Sequence, residues 1–135
     1  MAVDYIPHWE NVATKPDDPF YEVAQRIVRA RKVVFTKTLD KSEWGNTDLA
    51  KGNIVEEIGQ LKSRNKKDIY VNGGSSFVSS LIKERLIDEF HFFVNPVALG
   101  KGVPIFGELG EFQELKLKKS IVYNSGLVLL NYELK

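Results

Sequence analysis

The sequence predicts a single α/β domain, residues 1–135, with a mostly parallel sheet and an antiparallel edge. Apolar residues at helical spacing alternate along the chain with short segments of β-branched residues, which is the pattern of helices crossing over between parallel strands. Near the C-terminus a strictly alternating segment is followed by an Asn-Ser-Gly turn, which is typical of a hairpin. The length of 135 residues suits one domain better than two.

The first half predicts a short helix and a loop up to about residue 19, then a helix, a strand and a second helix. Asp17 or Asp18 followed by Pro19 predicts an N-cap and a proline in the first turn of the next helix. Residues 32–36 predict a strand covered on both faces, and the polar residues 40–52 predict a loop. Asn53 is the predicted N-cap of the helix that follows.

The second half predicts a strand, a glycine turn, a helix, a second strand, a glycine-rich loop and the terminal hairpin. These elements fall in turn at residues 68–72, 73–76, 77–83, 88–95, 99–104 and 114–134. Adjacent residues of a strand point to opposite faces, so Asp88 and Glu89 are not expected to share one site.

Composition excludes several classes of function. The net charge is +1 and no basic run occurs, so no nucleic acid or anionic membrane partner is expected. The chain has no cysteine and two histidines, which excludes disulfides, thiolate chemistry and a multi-histidine metal centre. No apolar run is long enough for a membrane span, and the N-terminus does not have the pattern of a signal peptide, so we expect a cytoplasmic protein.

A predicted strand, two glycines, two serines and a predicted helix follow one another around residue 74, an arrangement suited to binding an anion. Gly73 and Gly74 allow close approach of the backbone, and the first N–H groups of a helix lack partners within it. Ser75 and Ser76 could add hydroxyl donors. The same residues also suit a plain turn or N-cap, so both interpretations stay open from the pattern alone.

The end of the predicted strand at residues 32–36 is a second candidate. Thr36, Lys37 and Thr38 lie where ligands bind in open α/β sheets, beyond the carboxyl ends of the strands. A lysine between two hydroxyls could pair with a phosphate on a ribose. The alternative is a solvated lysine leaving the sheet.

Other polar or aromatic residues give weaker signals. Trp44 and Asn46 could line a pocket, while His8 and His91 are given no catalytic role. No Ser/His/Asp set, metal constellation or carboxylate pair is predicted, so the catalytic residues are unknown.

Three segments together resemble a known family. They are Ile69-Tyr70-Val71-Asn72-Gly73-Gly74, then Leu86-Ile87-Asp88-Glu89, then Asn95-Pro96-Val97-Ala98-Leu99-Gly100-Lys101-Gly102-Val103-Pro104-Ile105-Phe106. Their order is similar to that of the dihydrofolate reductase-like family, in the branch with the reductase domain of the bifunctional riboflavin-biosynthesis deaminase/reductase. The resemblance covers nearly the whole chain and implies a three-layer, mostly parallel mixed sheet with a C-terminal antiparallel hairpin.

The resemblance also implies an activity, which is hydride transfer from NADPH to a small-molecule substrate of the pterin or pyrimidine type. It implies that Gly73, Gly74, Ser75 and Ser76 contact the cofactor's pyrophosphate. By the same resemblance, Thr36, Lys37 and Thr38 contact the adenosine end with its ribose phosphate.

The chain departs from the family pattern at its start. Members open with a strand, a loop and a helix beginning Gly-Arg-x-Thr, and this chain begins with what looks like the end of that helix. We therefore expect an incomplete sheet and, to cover its exposed strand edges, a homodimer. The alternative function is a non-catalytic, truncated scaffold that forms an obligate homo-oligomer.

Overall fold

The computed structural model describes residues 1–135, which form four helices and five strands. In chain order they are α1 (Ala2–Val12), α2 (Tyr21–Arg29), β1 (Lys32–Phe35), β2 (Thr47–Ala50), α3 (Ile54–Arg64), α4 (Ser75–Lys83), β3 (Glu89–Val94), β4 (Leu115–Val122) and β5 (Val128–Leu134). No helix combines the length and the apolar character needed to cross a bilayer.

The chain divides into two compact units, Met1–Leu61 and Lys62–Lys135. A parallel pair, β1-β2, lies in the first unit and an antiparallel sheet, in the order β3-β5-β4, lies in the second. The mixed α/β class and the C-terminal hairpin are confirmed, although the parallel and antiparallel strands form two sheets. The single domain expected from the sequence stays a prediction.

In the N-terminal unit β1 and β2 pair in register from Lys32 opposite Thr47 to Phe35 opposite Ala50. Strand β2 corrects the expectation that residues 40–52 form a loop. Arg31, just before β1, donates from both Nε and Nη2 to Asp48 Oδ2, at 2.9 and 2.8 Å. A four-residue strand that contains an aspartate has little strand propensity of its own, so pairing with β1 decides its conformation.

Lys32 connects the end of α2 to the start of β1. Its ammonium donates to the carbonyls of Val28 and Ala30, both at 3.0 Å, and lies 3.4 Å from the carbonyl of Ile27. These carbonyls belong to the last turn of the helix and the residues after it, where intrahelical partners are missing and a positive charge is favourable. Partial burial lowers the pKa of Lys32, and the negative charge of Glu10 opposes that effect.

The boundaries of the two middle helices follow from their caps. Helix α2 begins at Tyr21, later than predicted, because Asp18 caps a turn before the helix: its Oδ1 accepts the Phe20 N–H at 2.9 Å. Pro19 therefore lies in that turn and not in the helix. The prediction for Asn53 is confirmed, since its Oδ1 accepts the N–H groups of Val55 and Glu56 at 2.9 and 3.4 Å.

In the C-terminal unit β5 lies between β3 and β4 and is antiparallel to both. The turn that joins β4 to β5 is closed by two bonds of 2.9 Å, from Gly126 N–H to the Tyr123 carbonyl and from Tyr123 N–H to the Leu127 carbonyl. Gly126 has a φ of +86°, a conformation that glycine adopts without steric cost. A bulge interrupts β4 at Lys118, where the sequence Lys118-Lys119 breaks the alternation.

Helix α4 buries its apolar side. Leu81 and Ile82 are nearly fully buried, and Phe90 of β3 is buried as well. The buried Ser79 donates from Oγ to the Ile105 carbonyl at 2.7 Å, and this bond holds the long loop between β3 and β4 to the helix. The helix ends with Arg85 in a left-handed conformation, at a φ of +53°.

The strand predicted at residues 68–72 is not formed. This segment belongs to neither sheet, and Ile69, Tyr70 and Val71 are 43%, 82% and 41% exposed. Its residues favour an extended chain, but a strand also needs a neighbour to satisfy its backbone groups, and neither sheet offers one here.

One polar face of the C-terminal sheet carries a ladder of charges. Lys118 lies 2.7 Å from Glu89 on β3 and 3.7 Å from Glu133 on β5, and Glu133 also lies 3.1 Å from Lys116. The hydrogen bond from Lys118, together with one from Asn131, lowers the pKa of Glu89. The bond to Glu89 in turn raises the pKa of Lys118.

The Ser79→Ala variant should lower the free energy of unfolding by about 1–2 kcal/mol, because the carbonyl of Ile105 loses its buried donor. Ser80→Ala is the matched control, since the Ser80 hydroxyl bonds to the Ser76 carbonyl of its own helix. Urea denaturation of both variants provides the measurement. Equal losses would show that the bond to Ile105 contributes nothing beyond helix propensity.

Stability should fall with acidification in a way that depends on Glu89. Its pKa is lower in the folded state, so its contribution is present above the unfolded pKa of about 4.3 and is lost as pH falls through the folded value. In Glu89→Gln the deficit relative to wild type should therefore shrink between pH 6 and pH 3, on urea midpoints. Glu108→Gln, at an exposed loop position, serves as the control. A deficit that does not change with pH would contradict the assignment.

Candidate functional site

The two predicted site segments lie in different units. Thr36, Lys37 and Thr38 follow β1 in the unit Met1–Leu61. Gly73 and the three residues after it lie at the start of α4 in the unit Lys62–Lys135.

Helix α4 begins without a side-chain cap. Gly74 is the N-cap, in an extended conformation with φ −69° and ψ 162°, and no side chain bonds to the first amides. The first intrahelical bond joins the Val78 N–H to the Gly74 carbonyl at 3.0 Å. The amides of Ser75 and Ser76 precede that bond and so have no acceptor in the helix. Ser75 is half-buried and Ser76 is exposed.

Gly73 lies directly under an aromatic ring. A Cβ at this position would come within 2.7 Å of Phe77 Cδ1, so a residue with a side chain would displace the ring. Glycine at this position leaves the Phe77 ring where it lies, and this holds whether or not an anion binds. Of the two interpretations left open by the sequence, the N-cap is observed, and it is compatible with a phosphate cradle because no side chain occupies the amides.

The segment after β1 forms a tight turn around a hydroxyl. Thr36 donates its N–H to the Ala50 carbonyl at 3.1 Å, and its Oγ1 accepts the N–H groups of Thr38 and Leu39 at 3.2 and 3.1 Å. Thr36 Oγ1 is thus used as an acceptor and keeps only its proton for a ligand. Lys37 and Thr38 are exposed.

The nearby acidic side chain is already paired. Asp40 Oδ1 lies 3.1 Å from Lys51 Nζ, so this carboxylate has its own cation. Both segments therefore offer donors rather than acceptors: backbone amides and serine hydroxyls at α4, and an ammonium with threonine hydroxyls after β1. This chemistry suits anionic oxygens.

The residues that gave weaker signals, Asn46, His8 and His91, make contacts within the fold. Asn46 is left-handed, with a φ of +52°, and its carbonyl accepts the Lys32 N–H at 2.7 Å at the start of the β1-β2 ladder. His8 packs edge-on against Trp9 at 5.2 Å between ring centroids. His91 Nε2 lies 3.3 Å from Asn131 Nδ2. No group of His, Asp and Glu residues is placed to hold a metal ion.

Sequence reasoning missed an open groove of about 640 Å³ on the apolar face of the C-terminal sheet. Four aromatic residues line it together with aliphatic and polar side chains: Phe92 of β3, Tyr132 of β5 and Phe106 and Phe112 of the loop before β4. The Phe92 and Phe106 centroids are 5.9 Å apart. Its residues come from separate segments that become neighbours only when the sheet forms. The alternation of Tyr132 with Asn131 and Glu133 was the one local signal.

Comparison with known proteins identifies relatives over most of the chain. The sequence model of the RibD C-terminal domain matches residues 7–129. The uncharacterized protein YyaP of Bacillus subtilis (strain 168) is 31% identical over 126 residues, which are 92% of this chain and 66% of YyaP. The uncharacterized protein YwjB of the same organism is 25% identical, over 87% of this chain and 78% of its own length.

Solved structures agree. A Shewanella sp. PV-4 protein named as a candidate riboflavin biosynthesis protein superposes with a TM-score of 0.70 at 28% identity, over 93% of this chain and 68% of that protein. A pyrimidine reductase-like protein from Corynebacterium diphtheriae shares the fold alone, with a TM-score of 0.53 at 17% identity, over 76% of this chain and 49% of that protein. The branch that the sequence motifs resemble is thereby confirmed, and the chain belongs to the RibD C-terminal domain family.

Proposed function

We propose that this chain is an NADPH-dependent reductase domain that acts on a small molecule of the pterin or pyrimidine type, in chemistry similar to that of riboflavin biosynthesis. Membership of the RibD C-terminal domain family supports the reaction class, and the name of the Shewanella protein agrees with it. The chain spans 66% of YyaP, so the activity is proposed for this domain within its family.

The observation that carries the proposal is the uncapped start of α4 after Gly73 and Gly74. Two amides without helical acceptors, at the positive end of the helix dipole and beside two serine hydroxyls, fit a pyrophosphate. When bound, NADPH supplies the hydride. The residues of α4 hold and orient its phosphates.

In this proposal Lys37 binds the ribose phosphate and so distinguishes NADPH from NADH. It is exposed, it carries a positive charge, and the neighbouring Asp40 is already paired with Lys51. A charge-assisted hydrogen bond is worth about 1.5–3 kcal/mol, which is roughly ten- to a hundredfold in affinity. NADH lacks that phosphate and gains nothing from Lys37.

A second candidate is the non-catalytic scaffold that forms an obligate homo-oligomer. The observation that favours it is the amount of apolar side chain left exposed in the C-terminal unit, with Leu99 at 80%, Val103 at 75% and Phe112 at 83%. Cofactor binding separates the two candidates, because a scaffold has no reason to distinguish NADPH from NADH.

We expect NADPH to bind more tightly than NADH, and Lys37→Ala to lose roughly ten- to a hundredfold in affinity for NADPH with little change for NADH. Calorimetric titration of both cofactors measures this. Lys41→Ala, on an exposed lysine of the following loop, is the control for general charge. Equal affinities for the two cofactors would refute the role of Lys37.

The Ser75→Pro variant tests the amides of α4. Proline is tolerated in the first turn of a helix, and Gly74 already has the extended conformation that a residue before proline requires, so the fold should persist. Loss of this N–H should weaken NADPH binding roughly tenfold or more, and Ser75→Ala, which removes only the hydroxyl, should cost less.

Circular dichroism checks that both Ser75 variants fold. If Ser75→Pro binds NADPH as wild type does, the pyrophosphate does not lie at the start of α4.

A further inference from the structure

Three side chains on the polar face of the C-terminal sheet converge between β3 and β5. Glu89 and His91 are two residues apart on β3 and so point to the same face, and Asn131 lies directly opposite His91 on β5. Glu89 Oε2 lies 3.6 Å from His91 Nε2. Asn131 Nδ2 lies 3.4 Å from that carboxylate oxygen and 3.3 Å from that ring nitrogen. The three atoms therefore form a nearly equilateral triangle.

The size of this triangle matches the ligand spacing of a tetrahedral metal ion. Zinc binds histidine nitrogen and carboxylate oxygen at about 2.0–2.2 Å, which places two tetrahedral ligands about 3.4 Å apart. Neighbouring ligands of an octahedral ion at the same bond length would be closer, at about 3.0 Å. The observed separations of 3.3, 3.4 and 3.6 Å lie around the tetrahedral value. A zinc ion just outside the plane of the triangle would reach all three corners without movement of the backbone.

The amide of Asn131 has a polar atom that the fold does not use. Its Oδ1 is buried and has no hydrogen-bond partner, while Nδ2 faces Glu89 and His91. A half-turn of the amide exchanges the two atoms, so that Oδ1 occupies the third corner of the triangle, where an oxygen can bind a cation. One end of the amide is without a partner in either orientation. A cation therefore competes only with the two long bonds, of 3.3 and 3.4 Å, that Nδ2 makes.

The other two corners are already in the state that a metal ion requires. Lys118 Nζ donates to Glu89 Oε1 at 2.7 Å, and this bond holds the pKa of Glu89 below its ordinary value, so the carboxylate is ionised and presents Oε2 to the triangle. Lys118 also lies 3.7 Å from Glu133 Oε2, so a second carboxylate offsets its charge. Because Asn131 Nδ2 can only donate, His91 Nε2 is the acceptor and directs its lone pair into the triangle.

We propose that Glu89 Oε2, His91 Nε2 and Asn131 Oδ1 bind one zinc ion, with water as the fourth ligand. The mixed set of nitrogen and oxygen donors suits zinc better than magnesium or calcium, which prefer oxygen alone. The third ligand is an amide, which is why histidine and acidic side chains alone do not make up the site.

The ion links β3 to β5, and all of its protein ligands come from this one pair of strands. It should therefore stabilise the pairing of these strands. The ligands belong to other elements than the proposed cofactor contacts at α4 and after β1, so the inference does not rest on the proposed function.

The test is zinc binding by the full chain, measured by competition with a chromophoric zinc indicator after treatment with a chelator. Wild type should bind one equivalent of Zn²⁺ and should not bind Mg²⁺ under the same conditions. His91→Ala should weaken zinc binding at least roughly tenfold, whereas His8→Ala, at the other of the two histidines, should leave it unchanged. Zinc should also raise the thermal midpoint of wild type and not that of His91→Ala.

Two matched pairs of variants separate the triangle from the general charge of this face. Glu89→Gln should weaken zinc binding at least roughly tenfold, and Glu133→Gln, at the other carboxylate beside Lys118, should weaken it much less. Asn131→Asp replaces the amide with a carboxylate and should bind zinc more tightly than wild type. Asn124→Asp adds the same charge in the turn between β4 and β5 and should not.

A wild type that binds zinc no more tightly than His91→Ala would overturn the proposal. Equal effects of Glu89→Gln and Glu133→Gln would overturn it as well, because the ion would then be held by the general charge of the sheet surface. If Asn131→Asp folds and does not gain over Asn124→Asp, the amide is not a ligand and the proposed site is wrong. Circular dichroism of each variant separates lost binding from unfolding, and the Glu89 and Glu133 pair decides the matter if Asn131→Asp fails to fold.

Discussion

Strand β5 is paired along its whole length on both sides, and the C-terminal unit is organised by this double pairing. The alternation of side chains along β5 places Tyr132 and Leu130 on one face of the sheet and Glu133 and Asn131 on the other. The residues of β3 and β4 that pair with them lie on the same faces. The aromatic groove and the ladder of charges are therefore two results of one register. A slip of one residue would exchange them, burying carboxylates among phenylalanine rings, and this cost is what makes the register unique.

The predictions from sequence were most accurate where a structural element depends on a few neighbouring residues. The hairpin needed only alternation and a turn with a glycine at Gly126, and the cap at Asn53 needed only one side chain and the amides that follow it. Strand β2 and residues 68–72 show the opposite case. Asp48 is in a strand because Arg31 and β1 hold it there, and Ile69 to Val71 are not, although their residue types favour a strand more strongly. In both places a neighbouring strand, present or absent, determines whether the segment is a strand. That neighbour is distant in the sequence, so a local pattern does not reveal it.

The candidate site shows the same division. That Gly73 and Gly74 precede a helix was evident from the sequence, but the ring of Phe77 above Gly73 and the missing side-chain cap on α4 were not. The pattern after β1 suggested two free hydroxyls, whereas Thr36 Oγ1 already accepts two N–H groups within the turn. Each difference changes what the segment could offer a ligand: α4 has two amides without helical acceptors, and after β1 the Thr36 oxygen already accepts two N–H groups while the Lys37 side chain is exposed.

The bulge at Lys118 marks the one position in β4 where a residue has no partner on β5. One residue there has no partner on β5, so Lys118 and Lys119 can both serve the polar face before regular alternation resumes at Ser120. Deleting one residue at the bulge would restore a regular ladder and leave the faces on either side intact. Deleting one residue elsewhere in β4 would turn the rest of the strand inside out. Within β4, a one-residue deletion should therefore be tolerated at Lys118 and not at the paired positions on either side.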